Sequence, residues 1–387
     1  MAQAALIWDP ALADYDLGPH HPLNPIRLTL TVELLAAYGV LARCEVLSPR
    51  IATDKELMLV HTSGYIEVVR ESSDWGAGLH AGMGLGTEDN PIYPGMHDIA
   101  ALTCGASMLG LEEVLSGRRT RAFSIAGGMH HAHKHRAAGF SVYNDAAVAI
   151  AAARETDPTL RVLYLDIDAH HGDGVQEAFY GVEEVMTVSL HESGVHAFPG
   201  TGFPGESGYG EGDGRAVNVP LPPFATDECY RIAFDEVVAP AARAFRPDVI
   251  VAQLGVDAHH SDPLTDLGMT LPGYRDVVRR TLALTDELCE GRLLALGGGG
   301  YHVVDVVPRA WAWVMAELLG IELDDRLPES WREHVCQELA ACSSPTSLGA
   351  TDRFELPAEQ DARVVERTRE AVLDVRGAVF PALGLTP

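Results

Sequence analysis

The chain is expected to fold as an α/β protein built on a single open parallel sheet with helices on both faces. Short apolar runs recur along it, each followed by glycines or acids and then by a helical pattern. The later runs are apolar on both faces, as strands buried between two helical layers must be. Strand and helix alternate rather than falling into separate blocks, which marks the α/β class.

The expected strands, in order, are AALIWD (4–9), RAFSIAGG (121–128), RVLYLDID (161–168), EVMTVSLHE (184–192), DVIVAQLGVD (248–257) and RLLALGGGG (292–300). Helices fill the intervals. Asn24-Pro25 reads as a cap and first turn, after which Ile26, Leu30, Leu34 and Ala37 keep one face apolar until Gly39. Asn144 or Asp145 can cap DAAVAIAAARE, and the stripe of Trp311, Met315 and Leu318 or Leu319 after Pro308 reads as core packing. The glycine-rich segment 71–98 lacks periodicity, and a long irregular stretch in a compact domain is usually functional. It is expected at the rim of an active site. Residues 1–320 carry the strand–helix alternation and are expected to form one catalytic domain. From 321 to 387 the chain turns polar and closes with an amphipathic helix bearing Val364 or Val365, Thr368, Val372 and Val375, expected as an appendage packed on that domain.

Composition narrows the function. At 387 residues with 47% hydrophobic content the chain can bury a large core. No run approaches the ~18–20 apolar residues that span a bilayer, and the N-terminal stretch has no basic leader, so a cytoplasmic protein with no membrane partner is expected. A formal charge of −27 repels phosphate backbones, which excludes a nucleic-acid partner. The same field keeps the protein soluble and favours cationic substrates. Only Lys55 and Lys134 are lysines. The six cysteines (Cys44, Cys104, Cys229, Cys289, Cys336, Cys342) are scattered without a C-x-x-C pair, which disfavours disulfides and structural zinc.

The chemistry gathers at strand ends. In LYLDIDAHHGDG a strand continued to its end would put Asp166, Asp168 and His170 on one face. Asp257 ends the strand DVIVAQLGVD, and Asp168, His170 and Asp257 together give three ligands with an open position, the pattern of a catalytic metal site. His130-His131 follow a Gly-Gly turn and can act as general acid and base. Asp166 and Asp173 are the carboxylates that can orient them. After LLALGGGG comes Tyr301, whose hydroxyl can donate to a developing oxyanion. No Lys-[Ser/Thr] follows those glycines, so they do not form a phosphate-binding loop. His133 and His135 read as loop residues, and His171 has no assigned role.

In this order the motifs GGMHHA, Gly139-Phe140, LDIDAHHGDG, HAFPGTGF, GVDAHHSDPL and GGGGYH resemble the histone deacetylase superfamily, within the arginase/deacetylase fold, across about residues 4–320. HPLNPIRL, GLGTEDNPIYPGMH and GFSVYNDAAVAI are similar to the bacterial acetoin-utilization deacetylases. The resemblance implies an open sheet of about eight strands. It also implies zinc, or ferrous iron, on Asp168, His170 and Asp257. His131 would be the general base, oriented by Asp173, with His130 and Asp166 in electrostatic support, and Tyr301 would polarise the amide carbonyl. Phe140 and Phe198 would flank an acyl-lysine tunnel with Leu264 at its wall, and Asp89 would bind the substrate backbone at the rim. A structural K+ or Na+ would use Asp166, Asp168, His170, Ser189 and Leu190. The implied reaction is hydrolysis of acetyl or acyl amides. The expected substrate is acetyl-lysine on a protein such as an acyl-CoA synthetase, with a small acetylated amine such as an acetylpolyamine as the alternative. Ser141 departs from the cysteine many relatives carry there.

Two other readings are weaker. The ureohydrolases of the same fold hold two metals with D-x-H-x-D and D-x-D, but Gly172 and His259 stand where the bridging acids belong. A non-catalytic binding module would have lost the acid/base pair or the tyrosine, and His131, Asp173 and Tyr301 are all present.

Overall fold

A computed structural model describes residues 4–338 and 345–387. Its strands are β1 (Ala4–Ile7), β2 (Glu45–Leu47), β3 (Arg121–Ser124), β4 (Val162–Asp166), β5 (Val185–Glu192), β6 (Ala216–Leu221), β7 (Val249–Gln253) and β8 (Leu293–Leu296). They form one eight-stranded sheet in the order β2-β1-β3-β8-β7-β4-β5-β6, every pairing parallel. Between β3 and β4 the chain leaves two positions that β7 and β8 later fill. Such breaks in strand order open a crevice at the carboxyl edge of the sheet.

The six apolar runs are strands β1, β3, β4, β5, β7 and β8, each shorter than its run. The glycines of these runs lie in loops past the strands, as do Asp9, Asp168 and Asp257, whereas Asp166 and Glu192 are the last residues of β4 and β5. β2 and β6 were not among the expected strands. β2 is three residues long with two of them exposed, so it lacks an apolar signature. β6 contains Pro220, which a strand tolerates at the edge of a sheet, and β6 pairs only with β5.

Side-chain alternation divides the core between the two faces. Leu163, Leu165, Ile250, Ala252, Leu293 and Ala295 pack into one apolar cluster. Their neighbours Val162, Tyr164, Val249, Val251, Leu294 and Leu296 pack into another. The first face carries helices Ile26–Ala37, Leu271–Leu288 and Val307–Leu319; the second carries Met96–Leu115 and Asp145–Thr156. Trp311 is wholly buried, its indole N–H donating to Leu254 O at 3.1 Å, so the tryptophan stripe is core as expected.

Asn24 accepts from Ile26 N at 3.0 Å and Gly39 takes the left-handed conformation (φ 70°) just past the helix, so its start and stop follow the sequence signals. The irregular rim segment is narrower than expected. Helix Ser63–Trp75 runs into it and helix Met96–Leu115 closes it. Helix Ala358–Val379 buries Val364, Thr368, Val372, Val375 and Val379, and it packs against β6 and helix Asp227–Ala233. Among the described residues no helix is long and apolar enough to cross a membrane. Cys44, Cys104, Cys229 and Cys289 are free thiols; Cys342 lies outside the described residues.

Candidate metal centre and active site

β3, β8, β7 and β4 are consecutive across the sheet, and the loops leaving their carboxyl ends carry His130-His131, Tyr301, Asp257 and the 166–173 segment. Residues far apart in sequence therefore meet at one sheet edge.

Asp168, His170 and Asp257 are all buried, and one ligand atom from each lies within 4.8 Å of the others. They do not meet by strand alternation, because β4 ends at Asp166. The chain folds instead through two successive side-chain turns. Asp166 Oδ1 accepts from Asp168 N at 3.1 Å, and Asp168 Oδ1 accepts from His170 N at 2.9 Å. His170 Nδ1 then lies 2.9 Å from Asp257 Oδ2 and 3.2 Å from Asp168 Oδ1. Burial and the charge of Asp168 push Asp257 up to about 8. Burial disfavours charge on His170, but Asp168 and Asp257 outweigh it and hold the imidazole well above its usual range. Asp168 is held well below the usual carboxylate range, against the cost of burying it, by the charges of His130 and His170. A buried carboxylate that keeps its proton beside an ionised one marks a place where a cation would relieve the charge.

The backbone around the triad fits an ion. A Cβ on Gly299 would stand 2.2 Å from Asp257 Oδ2, and one on Gly255 would stand 2.3 Å from Asp168 Oδ2. Gly299 N donates to Asp168 Oδ2 at 2.7 Å, an approach that only glycine allows, and Ala169 N donates to Asp257 Oδ1 at 2.8 Å, so backbone aims both carboxylates. Hard oxygen and imidazole donors suit zinc or ferrous iron.

His130 and His131 sit beside this triad as a linked pair. Their Nε2 atoms are 2.9 Å apart, while His130 Nδ1 reaches Asp166 Oδ2 at 2.7 Å and His131 Nδ1 reaches Asp173 Oδ1 at 2.8 Å. Burial opposes charge on His130, but Asp166 and Asp168 outweigh it and raise its pKa to about 9. Burial and then the His130 charge lower His131 to about 4. One imidazole thus holds a proton and its neighbour offers a lone pair, the polarity an acid/base couple needs.

Tyr301 rests with its ring 6.4 Å from that of His170. Burial, then Asp257 and Asp168, hold its phenol well above the usual value, so it remains a donor. Phe140 packs edge-on to Tyr301 at 5.7 Å, and Phe198 stands edge-on over His131 at 4.9 Å. A narrow cavity runs in from there, lined by Leu23, Met129, His131, Phe140, Ser141 and Tyr301. Ser141 is buried there, and its hydroxyl donates to Gly139 O at 3.3 Å. Leu264 is 40% exposed, two residues past Asp262, which accepts its N–H at 3.0 Å. Asp89 is exposed, and its carbonyl accepts from His21 Nε2 at 3.2 Å, with the His21 ring edge-on to Phe140 at 4.4 Å. That contact brings the rim segment to the mouth. Ser189 pairs in register with Asp166 across β4 and β5, but its hydroxyl lies 2.9 Å from His191 Nδ1; Leu190 is buried.

A larger cavity of about 1030 Å³ lies between helices Met96–Leu115 and Asp145–Thr156. Its wall includes Leu160, Asp248 and Arg292, which precede β4, β7 and β8, so it opens at the opposite edge of the sheet and shares no residue with the metal centre.

His171 turns away, to Thr201 Oγ1 at 2.8 Å and Gln176 Oε1 at 3.1 Å. A side chain at Gly172 would meet Asp166 Oδ2 at 2.5 Å, and His259 pairs with Asp352, so neither supplies a second metal. The sequence reading missed several supporting residues. Asp145, weighed only as a cap, accepts from Gly128 N and Met129 N at 3.0 and 2.7 Å and so holds the turn before His130. Asn144 is the cap, accepting from Ala147 N at 2.9 Å. Gln253 donates to Asp168 Oδ2 at 2.7 Å; Arg27 donates to Gly298 O at 2.8 Å and Gly300 O at 3.2 Å. His133, read as a loop residue, is buried with Nε2 at 3.2 Å from Asp173 Oδ2.

Residues 21–318 match the model of the histone deacetylase domain. The chain is 40% identical to the acetoin utilization protein AcuC of Bacillus subtilis over 333 residues, covering 86% of each, and 38% identical to AcuC of Staphylococcus xylosus, covering 87% and 88%. It superposes on the crystal structure of an HDAC homolog complexed with SAHA at a TM-score of 0.84 and 31% identity. It superposes on an HDAC homolog from Aquifex aeolicus at 0.83 and 30%; each comparison covers 95% of this chain and all of the other. A parallel sheet with its chemistry on four adjacent strand ends, and a match spanning most of the chain in sequence and in shape, place this protein in the histone deacetylase family.

Proposed function

We propose that this hydrolase removes acetyl groups from lysine side chains in a metal-dependent reaction. One observation carries the reading: the ligand triad, the His130–His131 couple and Tyr301 converge under a mouth flanked by Phe140 and Phe198. Asp168, His170 and Asp257 would hold one divalent ion, zinc or iron, whose Lewis acidity acidifies water and polarises the amide carbonyl. His131 Nε2 accepts the proton as water attacks the acetyl carbon, and it returns that proton to the leaving amine. Asp173 keeps the other ring nitrogen protonated and the ring oriented, and His130 with Asp166 supplies positive charge beside the developing oxyanion. The Tyr301 hydroxyl donates to that oxyanion. Phe140 and Phe198 exclude water along the aliphatic stem, with Leu264 at the wall, and Asp89 receives the substrate backbone at the rim. Asp166, Asp168 and His170 with Ser189 and Leu190 would hold K+ or Na+ as a structural ion.

The substrate we favour is acetyl-lysine on a protein, of which an acyl-CoA synthetase is one candidate; an acetylpolyamine is the second reading, favoured by the net charge of −27. Turnover of acetyl-lysine peptides, acetylspermidine and longer acyl-lysines by metal-loaded protein separates them. His131→Ala should abolish activity and Tyr301→Phe should cost ~10²–10³-fold in kcat. Wild-type turnover in both variants would sink the mechanism.

A further inference from the structure

Past the end of the family domain at residue 318, Asp352 touches the loop that follows the metal ligand Asp257. Its Oδ2 lies 2.9 Å from His259 Nε2 and accepts from Leu271 N at 2.8 Å; its Oδ1 lies 3.1 Å from His260 Nε2. Two imidazoles and a carboxylate have the composition of a second cation site, and their ligand atoms cluster within 4.8 Å. Proton placement argues against one. Ser261 N donates to His259 Nδ1 at 3.2 Å, which makes Nδ1 the acceptor and leaves the ring proton on Nε2, directed at Asp352. The cluster is a hydrogen-bonded clamp.

The clamp leads to the active site. Ser261 Oγ lies 2.9 Å from His259 Nδ1 and 2.9 Å from His302 Nδ1, and His302 follows Tyr301. One residue on, Asp262 Oδ2 accepts from Tyr301 N at 2.8 Å. Asp352 is itself held from behind, because Asp325 accepts from Ser347 Oγ, Gly349 N and Ala350 N at 2.8, 3.2 and 2.9 Å. Phe354 stacks on His260 at 5.4 Å and completes the contact.

We propose that Asp352 is a positioning residue for Tyr301, acting through His259, Ser261 and His302, so that the C-terminal segment sets the geometry of the oxyanion donor. The proposal rests on the deacetylase reading for its effect on turnover. Asp352→Asn is nearly isosteric but replaces an acceptor oxygen with a donor facing an imidazole N–H.

With an acetyl-lysine peptide, Asp352→Asn should lower kcat about 10-fold and leave KM within about 2-fold. In a Tyr301→Phe background the same change should cost less than about 2-fold, because the lost contact is already gone. Ser261→Ala, at an exposed position, tests the relay if the Asp352 variant folds poorly, and should show the same kcat loss and the same dependence on Tyr301. Hydrogen exchange over residues 298–303 should rise in Asp352→Asn, and this readout stands apart from the identity of the substrate. Additive losses with Tyr301→Phe, unchanged exchange at 298–303, or a second bound ion that disappears with Asp352→Asn would each overturn the proposal. An inactive wild type with raised exchange in the variant would overturn the deacetylase reading and leave the positioning role supported.

Discussion

Asp173 is shared between two imidazoles: Oδ1 lies 2.8 Å from His131 Nδ1, and Oδ2 lies 3.2 Å from His133 Nε2. Burial opposes charge on His133, but Asp173 and Glu177 outweigh it and raise its pKa to about 9. The histidines in turn hold Asp173 well below the usual carboxylate range, against the cost of burying it. Asp173→Asn should therefore lower kcat by ~10–100-fold, since an amide can neither fix the His131 tautomer nor balance two rings. Steady-state kinetics with unchanged KM would support this; a loss confined to KM would not.

The pH profile follows from the coupled pair. His131 is depressed to about 4, first by burial and then by the charge on His130, so it is unprotonated and ready as a base at neutral pH. Turnover should persist on the acid side beyond the usual imidazole range. Removing the His130 charge raises the pKa of His131, which protonates it earlier as pH falls. The acid limb of kcat/KM should therefore move to higher pH in His130→Ala. A limb that stays put or moves to lower pH would contradict the assignment.

Metal removal should act on both activity and stability. Chelation should abolish turnover, and one equivalent of divalent metal per chain should restore it, with a higher Tm because the ion binds only the folded triad. Asp257→Asn should lose that equivalent. Two ions per chain, with Asp257 dispensable, would revive a two-metal enzyme.

Asp145 carries a structural prediction. It is fully buried, and its carboxylate serves Gly128 N, Met129 N and Ser107 Oγ. Asp145→Ala leaves these donors unpaired and should cost about 3 kcal/mol in urea unfolding. A loss below about 1 kcal/mol would mean that the turn before His130 holds itself.

The sequence exposed the strands with two buried faces and the acids and histidines at their ends, because both signals are local. β2 and β6 escaped because edge strands need no apolar pattern on both faces. The triad was legible as residues but not as geometry: Asp168 and His170 meet through side-chain turns, and no periodicity encodes those. Asp145, Gln253 and Arg27 act at long range on backbone or carboxylate, so each resembled an ordinary cap, core polar group or surface cation. His133 gave no signal because its partner lies 40 residues on, and only the fold reveals that it shares Asp173 with His131.

Asn144 and Asp145 grip the chain on both sides of the histidine couple. Asp145 holds the backbone at 128–129, while the Asn144 side-chain amide donates to His130 O and Ala132 O at 3.1 Å each. The intervening stretch 133–143 is thus a loop pinned at its base, with Lys134, His135 and Arg136 exposed near its start. The backbone of the histidine couple is gripped from the start of a single helix, so sequence can vary at the exposed Lys134 while every one of those contacts stays in place.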